Sequence, residues 1–152
     1  MIKEVKIYDM DGTIVCSLHR YNVINEKIDL QYWQDNQHKA YDDSLLPLAK
    51  QYKADLKNPD VYVIIATARV LNEPDMRFIN DKLGNPDYII SRKEGSSISG
   101  GQLKINGLQK FFNLKNFKNA MFTFYEDNTT YLKVVCDKFN IRGVYIPSKQ
   151  GH

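Results

Sequence analysis

The run Val61-Tyr62-Val63-Ile64-Ile65-Ala66 constrains the fold most, because it has no polar face. A strand with one wet face alternates apolar and polar residues, whereas a strand apolar throughout must be covered on both sides. Four more short, largely apolar segments read as strands, at 5–9, 88–90, 121–125 and 143–146. Helical patterns fall between them. Residues 45–56 place Leu45, Leu48, Ala49 and Tyr52 on one face. Asn72-Glu73-Pro74-Asp75 opens a second helix with a capping side chain, an early proline and acids at the positive end of the dipole, and Gly84 ends it. Residues 103–112 form a third, and 129–139 a fourth that starts at Asn128 or Thr129. Strand and helix alternate, which predicts an α/β fold: a doubly wound parallel sheet of about five strands.

At 152 residues the chain is read as one domain, 1–152, with no repeat and no linker. Two stretches stand outside the alternation. Residues 16–41 are long, polar and aromatic, and 18–41 is expected to be a small cap inserted after the first strand. Residues 94–102, EGSSISGGQ, read as a flexible loop. The net charge of +3, from 21 Lys+Arg against 18 Asp+Glu, is too small to argue for nucleic acid by itself but would not repel an anion. Cys16 and Cys136 give neither a disulfide framework nor metal spacing, so free thiols in a reducing compartment are expected. No apolar run approaches the roughly 18 residues of a membrane span and the N-terminus has no signal-peptide pattern. A cytoplasmic protein with no membrane partner is the expectation.

In an open α/β sheet, sites form beyond the carboxyl ends of the strands. Here those ends carry chemistry. The first run ends in Asp9-Met10-Asp11-Gly12-Thr13, the second in Thr67-Ala68-Arg69 and the fourth in Glu126-Asp127-Asn128, with Lys104 near the start of the third helix. Placing two carboxylates at the end of a buried strand is costly unless a cation or hydrogen-bond network compensates. The residue types suit phosphoryl transfer. Asp9 can attack phosphorus, and Asp11 can protonate the leaving alcohol and later deprotonate water. Mg²⁺ held by Asp9 and Asp127 would bring nucleophile and phosphate together. Thr67 and Lys104 would donate to the phosphoryl oxygens, and Arg69 would bind phosphate through its fork.

These residues, in this order, resemble the four motifs of the haloacid dehalogenase (HAD) superfamily: Asp9-x-Asp11-Gly12-Thr13, then Thr67, then Lys104, then Glu126-Asp127. The resemblance covers nearly the whole chain. It implies a Mg²⁺-dependent phosphatase with Asp9 as nucleophile, Asp11 as general acid/base, and Thr67 and Lys104 on the phosphoryl group. Metal ligands would come from Asp9, Asp11, Asp127 and Glu126. Glu126 stands where the superfamily more often has Asp, and which member of the Glu126-Asp127 pair touches the metal is left open. A narrower similarity joins Thr67-Ala68-Arg69, Ser91-Arg92-Lys93-Glu94-Gly95 and Lys104 to the phosphatase half of bacteriophage polynucleotide kinase-phosphatase. The chain is also similar to small phage-encoded HAD proteins. A kinase half would need a G-x-x-x-x-G-K-[ST] motif, which this sequence lacks.

The expected substrate is a phosphorylated one, a nucleotide or a polynucleotide 3′-phosphate end. A small-molecule phosphatase such as a 5′-nucleotidase is the alternative, and a non-catalytic HAD-fold module that binds nucleic acid or a partner is the third reading. The cap segment bears on the choice, since it carries His19, Arg20, Tyr21, Tyr32, Trp33, His38 and Tyr41. Aromatics beside basic residues can stack bases and hold phosphates, and Arg20, Arg69 and Arg92 are the candidate substrate-binding residues. Each has a plainer reading. Asp11-Gly12 is ordinary turn chemistry, Thr67 a turn cap, Lys104 a solvated lysine with Lys93 as competitor, and Glu126-Asp127 an acidic helix start. Arginines are common on surfaces, and the cap aromatics can be packing.

Overall fold

Five parallel strands form the centre of the computed structural model, which describes residues 1–20, 23–24, 27–28 and 30–148. They are β1 (Glu4–Tyr8), β2 (Val61–Ala66), β3 (Tyr88–Ile90), β4 (Met121–Glu126) and β5 (Arg142–Tyr145), in spatial order β3-β2-β1-β4-β5. The α-helices are α1 (Leu30–Asp35), α2 (Ala49–Leu56), α3 (Glu73–Phe78), α4 (Gly100–Leu108) and α5 (Thr129–Phe139). This is the doubly wound α/β architecture expected from the apolar runs.

Side-chain alternation along the strands builds two cores. Val61, Val63 and Ile65 pack with Tyr52 of α2 and Phe78 of α3, while Ile64 and Ala66 pack with Leu103 and Leu108 of α4 and Val135 of α5. Both faces of β2 are therefore covered, and each fully buried aliphatic side chain contributes roughly 1.5–3 kcal/mol.

Two local expectations need correction. The helix expected over 45–56 begins at Ala49, and Leu45 sits in a two-residue strand, Ser44–Leu45, antiparallel to Val15–Cys16. Leu46 N–H donates to the Ile14 carbonyl at 2.9 Å and Pro47 has no N–H, so no helical turn forms earlier. The helix expected over 103–112 starts at Gly100 and tightens to 3₁₀ over Gln109–Asn113. Ser99 caps it, its Oγ accepting from Gln102 N–H at 3.3 Å. Gly100 and Gly101, read as loop, let α4 close on α5: a Cβ would lie 2.4 Å from the Tyr131 ring and 2.6 Å from Val134. Helix α3 continues as a π turn over Ile79–Leu83 before Gly84 ends it at φ +102°.

Between β1 and α2 the cap segment runs as a 3₁₀ turn (Leu18–Arg20), an antiparallel pair (Val23–Ile24 with Lys27–Ile28), α1 and a second 3₁₀ stretch (Gln37–Asp42). Tyr21 lies outside the described residues. The segment is tied down by side chains. Arg20 is fully buried and donates to Asp43 through Nε at 2.8 Å and a terminal nitrogen at 2.9 Å. Lys82 Nζ donates to the Tyr41 carbonyl at 2.7 Å, and Tyr41 OH to Asp81 at 3.0 Å. Among the described residues, no helix is long and apolar enough to cross a membrane.

Candidate active site

Register places the site. Tyr8 pairs with Ile65 on one side and Tyr125 on the other, so one step further Asp9 falls level with Ala66 and Glu126. Asp9 N–H donates to the Tyr125 carbonyl at 3.0 Å, and Thr67 N–H to the Ile90 carbonyl at 2.9 Å. Five of the expected residues thus meet at one edge: Asp9, Thr67, Lys104, Glu126 and Asp127, all buried.

Lys104 sits at the centre of the charges. Its Nζ donates to Asp9 Oδ1 at 2.8 Å and to Glu126 Oε1 at 2.5 Å. Burial opposes its ammonium form, but the Asp9 and Glu126 carboxylates outweigh that and hold the proton firmly. Burial likewise opposes ionisation of Asp9, and Lys104 overcomes it, keeping Asp9 below the usual carboxylate range. Glu126 is pushed well up, by burial first and then by the Asp9 charge. The structure therefore puts Lys104 behind Asp9, away from the cleft, where it neutralises the crowded carboxylates.

The two members of the Glu126-Asp127 pair differ. Glu126 Oε1 is taken by Lys104, and Oε2 accepts from the N–H groups of Asp127 at 3.0 Å and Asn128 at 3.3 Å. Asp127 Oδ2 is buried and makes no well-formed hydrogen bond among the described residues. Its carboxyl is pushed up to about 7, by burial and then by Asp9. Oxygens of Asp9, Glu126 and Asp127 lie within 4.8 Å of one another. Hard oxygen donors, crowded and one of them orphaned, fit a divalent cation of the Mg²⁺ type. Thr13, given no role of its own in the first motif, joins this group: its hydroxyl lies 3.0 Å from Asp9 Oδ2 and 3.5 Å from Asp127 Oδ1. Gly12 is required twice over. Its φ is +81°, and a Cβ there would stand 2.1 Å from Asp127 Oδ2.

Asp11 faces Arg69. The Arg69 Nε donates to Asp11 Oδ2 at 2.5 Å and a terminal nitrogen to Oδ1 at 3.3 Å, while its other terminal nitrogen donates to Asp75 at 2.6 Å. Asp75 does double duty, also accepting the Asn72 N–H at 2.9 Å at the start of α3. The sequence signal for it was only that of a helix-capping acid.

Three arginines were expected on substrate, and the structure gives each another task. Arg20 is sealed in the cap against Asp43 and does not line the cleft, which corrects that expectation: a fully buried guanidinium that spends its Nε and one terminal nitrogen on Asp43 does not reach a phosphate in the cleft. Arg69 lines the cleft but spends its fork on Asp11 and Asp75. Arg92 lines it too, but donates to the carbonyls of Ala68, Ser96 and Ile98 at 2.6, 3.1 and 2.5 Å, pinning the 94–98 loop to the strand end. Lys93, the competitor of Lys104, is exposed.

Above these residues opens a cleft of about 930 Å³. Asp9, Asp11, Thr67 and Glu126 line its floor, the 94–98 loop one side, and Leu30, Trp33, Gln34 and Gln37 of the cap segment the other.

Comparison with known proteins agrees with this architecture. A chain of the Pnkp1/Rnl/Hen1 RNA repair complex superposes with a TM-score of 0.70 at 16% identity, over 97% of this chain and 43% of that one. This protein thus spans less than half of that chain. The HAD domain of the effector protein Lem4 from Legionella pneumophila superposes with a TM-score of 0.64 at 15% identity, over 98% of this chain and 88% of that one. Its inactive mutant gives 0.63 at 15%, over 99% and 88%. At these identities the likeness is one of fold, and the fold is HAD-like. No curated protein sequence matches. Residues 1–97, well over half of the chain and spanning the first two motifs, match the family model for bacteriophage T5 5′-deoxynucleotidase. The chain therefore belongs to the bacteriophage T5 5′-deoxynucleotidase family, and family and fold together support a phosphatase or nucleotidase activity.

Proposed function

We propose that the protein hydrolyses deoxynucleoside 5′-monophosphates in a Mg²⁺-dependent reaction that passes through an aspartyl-phosphate on Asp9. One observation carries the reading. Asp9 lies at the floor of the cleft with its carboxylate held ionised and oriented, Oδ1 by Lys104 and Oδ2 by Thr13. Asp9 attacks phosphorus; the ester P–O bond breaks, and its electron pair stays on the nucleoside oxygen, which takes a proton from the Asp11 carboxyl. Water then attacks phosphorus and gives a proton to Asp11, and the P–O bond to Asp9 breaks, releasing inorganic phosphate. Thr67 donates to a phosphoryl oxygen, and Arg69 fixes the plane of the Asp11 carboxylate as a positioning residue. Asp9 and Asp127 would hold Mg²⁺, with Glu126 kept on Lys104 and two backbone N–H groups. When bound, the ion would offset the negative charge of nucleophile and phosphate.

The cleft suits a mononucleotide. Four acids line it (Asp9, Asp11, Glu94, Glu126) against two arginines, both already paired within the protein. A chain of further phosphates would find no unspent guanidinium among the described lining residues. On this reading residues 18–41 act as a small cap on a single domain. Polynucleotide 3′-phosphate ends are the second reading, favoured by the likeness to the RNA-repair chain.

The test is phosphate release, with and without Mg²⁺, from the four deoxynucleoside 5′-monophosphates, an aryl phosphate and a 3′-phosphorylated oligonucleotide. Mg²⁺-dependent release from the mononucleotides, lost in Asp9→Asn, is expected. Release confined to the oligonucleotide would favour the second reading, and undiminished release by Asp9→Asn would overturn the nucleophile.

A further inference from the structure

We infer that Trp33, with the amide side chains of Gln34, Gln37 and Asn72, forms a nucleobase subsite at the cap end of the cleft. The inference rests on the deoxynucleotidase reading for the phosphate end and adds what holds the other end of the substrate.

Trp33 is part-buried and lines the same cleft as Asp9. Its ring packs against the Arg20 guanidinium, 4.4 Å from the ring centroid, with Arg69 at 5.6 Å. Arg20 cannot drift, because Asp43 grips it at two points inside the protein. The ring is therefore a platform set at a fixed height over the site, and aromatic platforms bind bases by stacking whatever the base. Apart from Arg69, whose fork is spent on Asp11 and Asp75, the lining around it is uncharged. Gln34 is exposed on α1, and Asn72 donates to Gln37 Oε1 at 2.5 Å. Primary amides offer both donors and acceptors, which is what the edge of a base requires.

The distribution of charge argues for the same occupant. At the floor lie Asp9, Asp11, Thr67 and Glu126, with Lys104 buried behind Asp9, a set suited to one phosphoryl group with a cation. At the cap end the described lining carries an aromatic ring, Leu30 and amides. A second phosphate would have nothing to bind there, whereas a flat, neutral, hydrogen-bonding ring system would. A cleft of about 930 Å³ lies within the usual range for such a ligand.

Trp33 is the sole tryptophan of the chain, so its fluorescence reports on the subsite directly. The experiment titrates the non-hydrolysing Asp9→Asn protein with each deoxynucleoside 5′-monophosphate and with 2-deoxyribose 5-phosphate, which has no base. Saturable quenching by the nucleotides and none by the baseless compound is expected. Steady-state kinetics give the second readout. In Trp33→Ala the ratio of kcat/KM for nucleotide over kcat/KM for 2-deoxyribose 5-phosphate should fall about tenfold or more, and Trp33→Phe, which keeps a stacking face, should restore most of it. Equal quenching by both compounds, no quenching by either, or an unchanged ratio in Trp33→Ala would overturn the subsite. If the wild-type protein releases no phosphate from any deoxynucleotide, the activity reading fails, and the titration still decides the subsite on its own.

Discussion

The floor of the cleft and the cap segment beside it are fixed by different forces. Asp9, Thr67 and Glu126 stand where the sheet register puts them, each one residue beyond or at the end of a strand whose apolar side chains pin it between two cores. Among the described residues the cap consists of short pieces, none longer than six residues. It is held by single ion pairs and hydrogen bonds: Arg20 on Asp43, Lys82 on the Tyr41 carbonyl, Asn72 on Gln37. A side chain on the floor can change without moving its neighbours, because main chain sets their places. In the cap, a side chain is also the support.

Lys104→Met tests the floor and should have the largest effect. It removes the cation between Asp9 and Glu126 while keeping an unbranched stem among Phe124 and Tyr131. Two buried carboxylates would then face each other, and breaking such a pair costs about 3–5 kcal/mol. For a chain of this size that lowers Tm by roughly 10 °C. Thermal denaturation in the presence of EDTA checks this without help from metal. A fall of only a degree or two would mean that Lys104 is not what compensates the carboxylates.

The same contrast explains what the sequence reveals. A register is written in apolar runs, so the ends of β1, β2 and β4 could be read, and with them Asp9, Thr67, Glu126 and Asp127. Lys104 was legible as part of the motif pattern, although its burial behind Asp9 was not. The arginines could not be placed. A guanidinium carries five donors and suits carboxylate and phosphate alike, so Arg20, Arg69 and Arg92 read as phosphate ligands until the positions of Asp43, Asp75 and the Ala68 carbonyl are known. Gly100 and Gly101 misled for a related reason. Glycine marks a flexible loop and a close helix contact with the same letter, and only Tyr131 and Val134 across the gap distinguish the two.

Arg20→Met tests the cap, with a smaller global effect expected. The change leaves Asp43 buried with His19 beside it, 2.7 Å away, and removes the guanidinium from the Trp33 ring. Since the cap contributes little to either main core, its opening should precede global unfolding. Limited proteolysis should cut the variant within residues 16–48 roughly tenfold faster than the wild type, with Tm falling less than in Lys104→Met. Equal losses of Tm in the two variants would erase the distinction between floor and cap.

Arg69→Lys probes the seam between the two regions and should be the mildest change. Arg69 joins Asp11 on the floor to Asp75 at the start of α3, and α3 packs on the cap's second 3₁₀ stretch. Lysine keeps the positive charge between the two acids but loses the fork that sets the plane of the Asp11 carboxylate. If Arg69 positions Asp11, kcat should fall about tenfold with KM nearly unchanged, because an interaction needed for proton transfer has been loosened and ground-state binding has not. If Arg69 instead binds the substrate's phosphate, lysine would remain a serviceable point charge, and any loss would be in KM with kcat preserved. Steady-state kinetics on one deoxynucleoside monophosphate at saturating Mg²⁺ separates the two, and the second pattern would move Arg69 from the acid to the substrate.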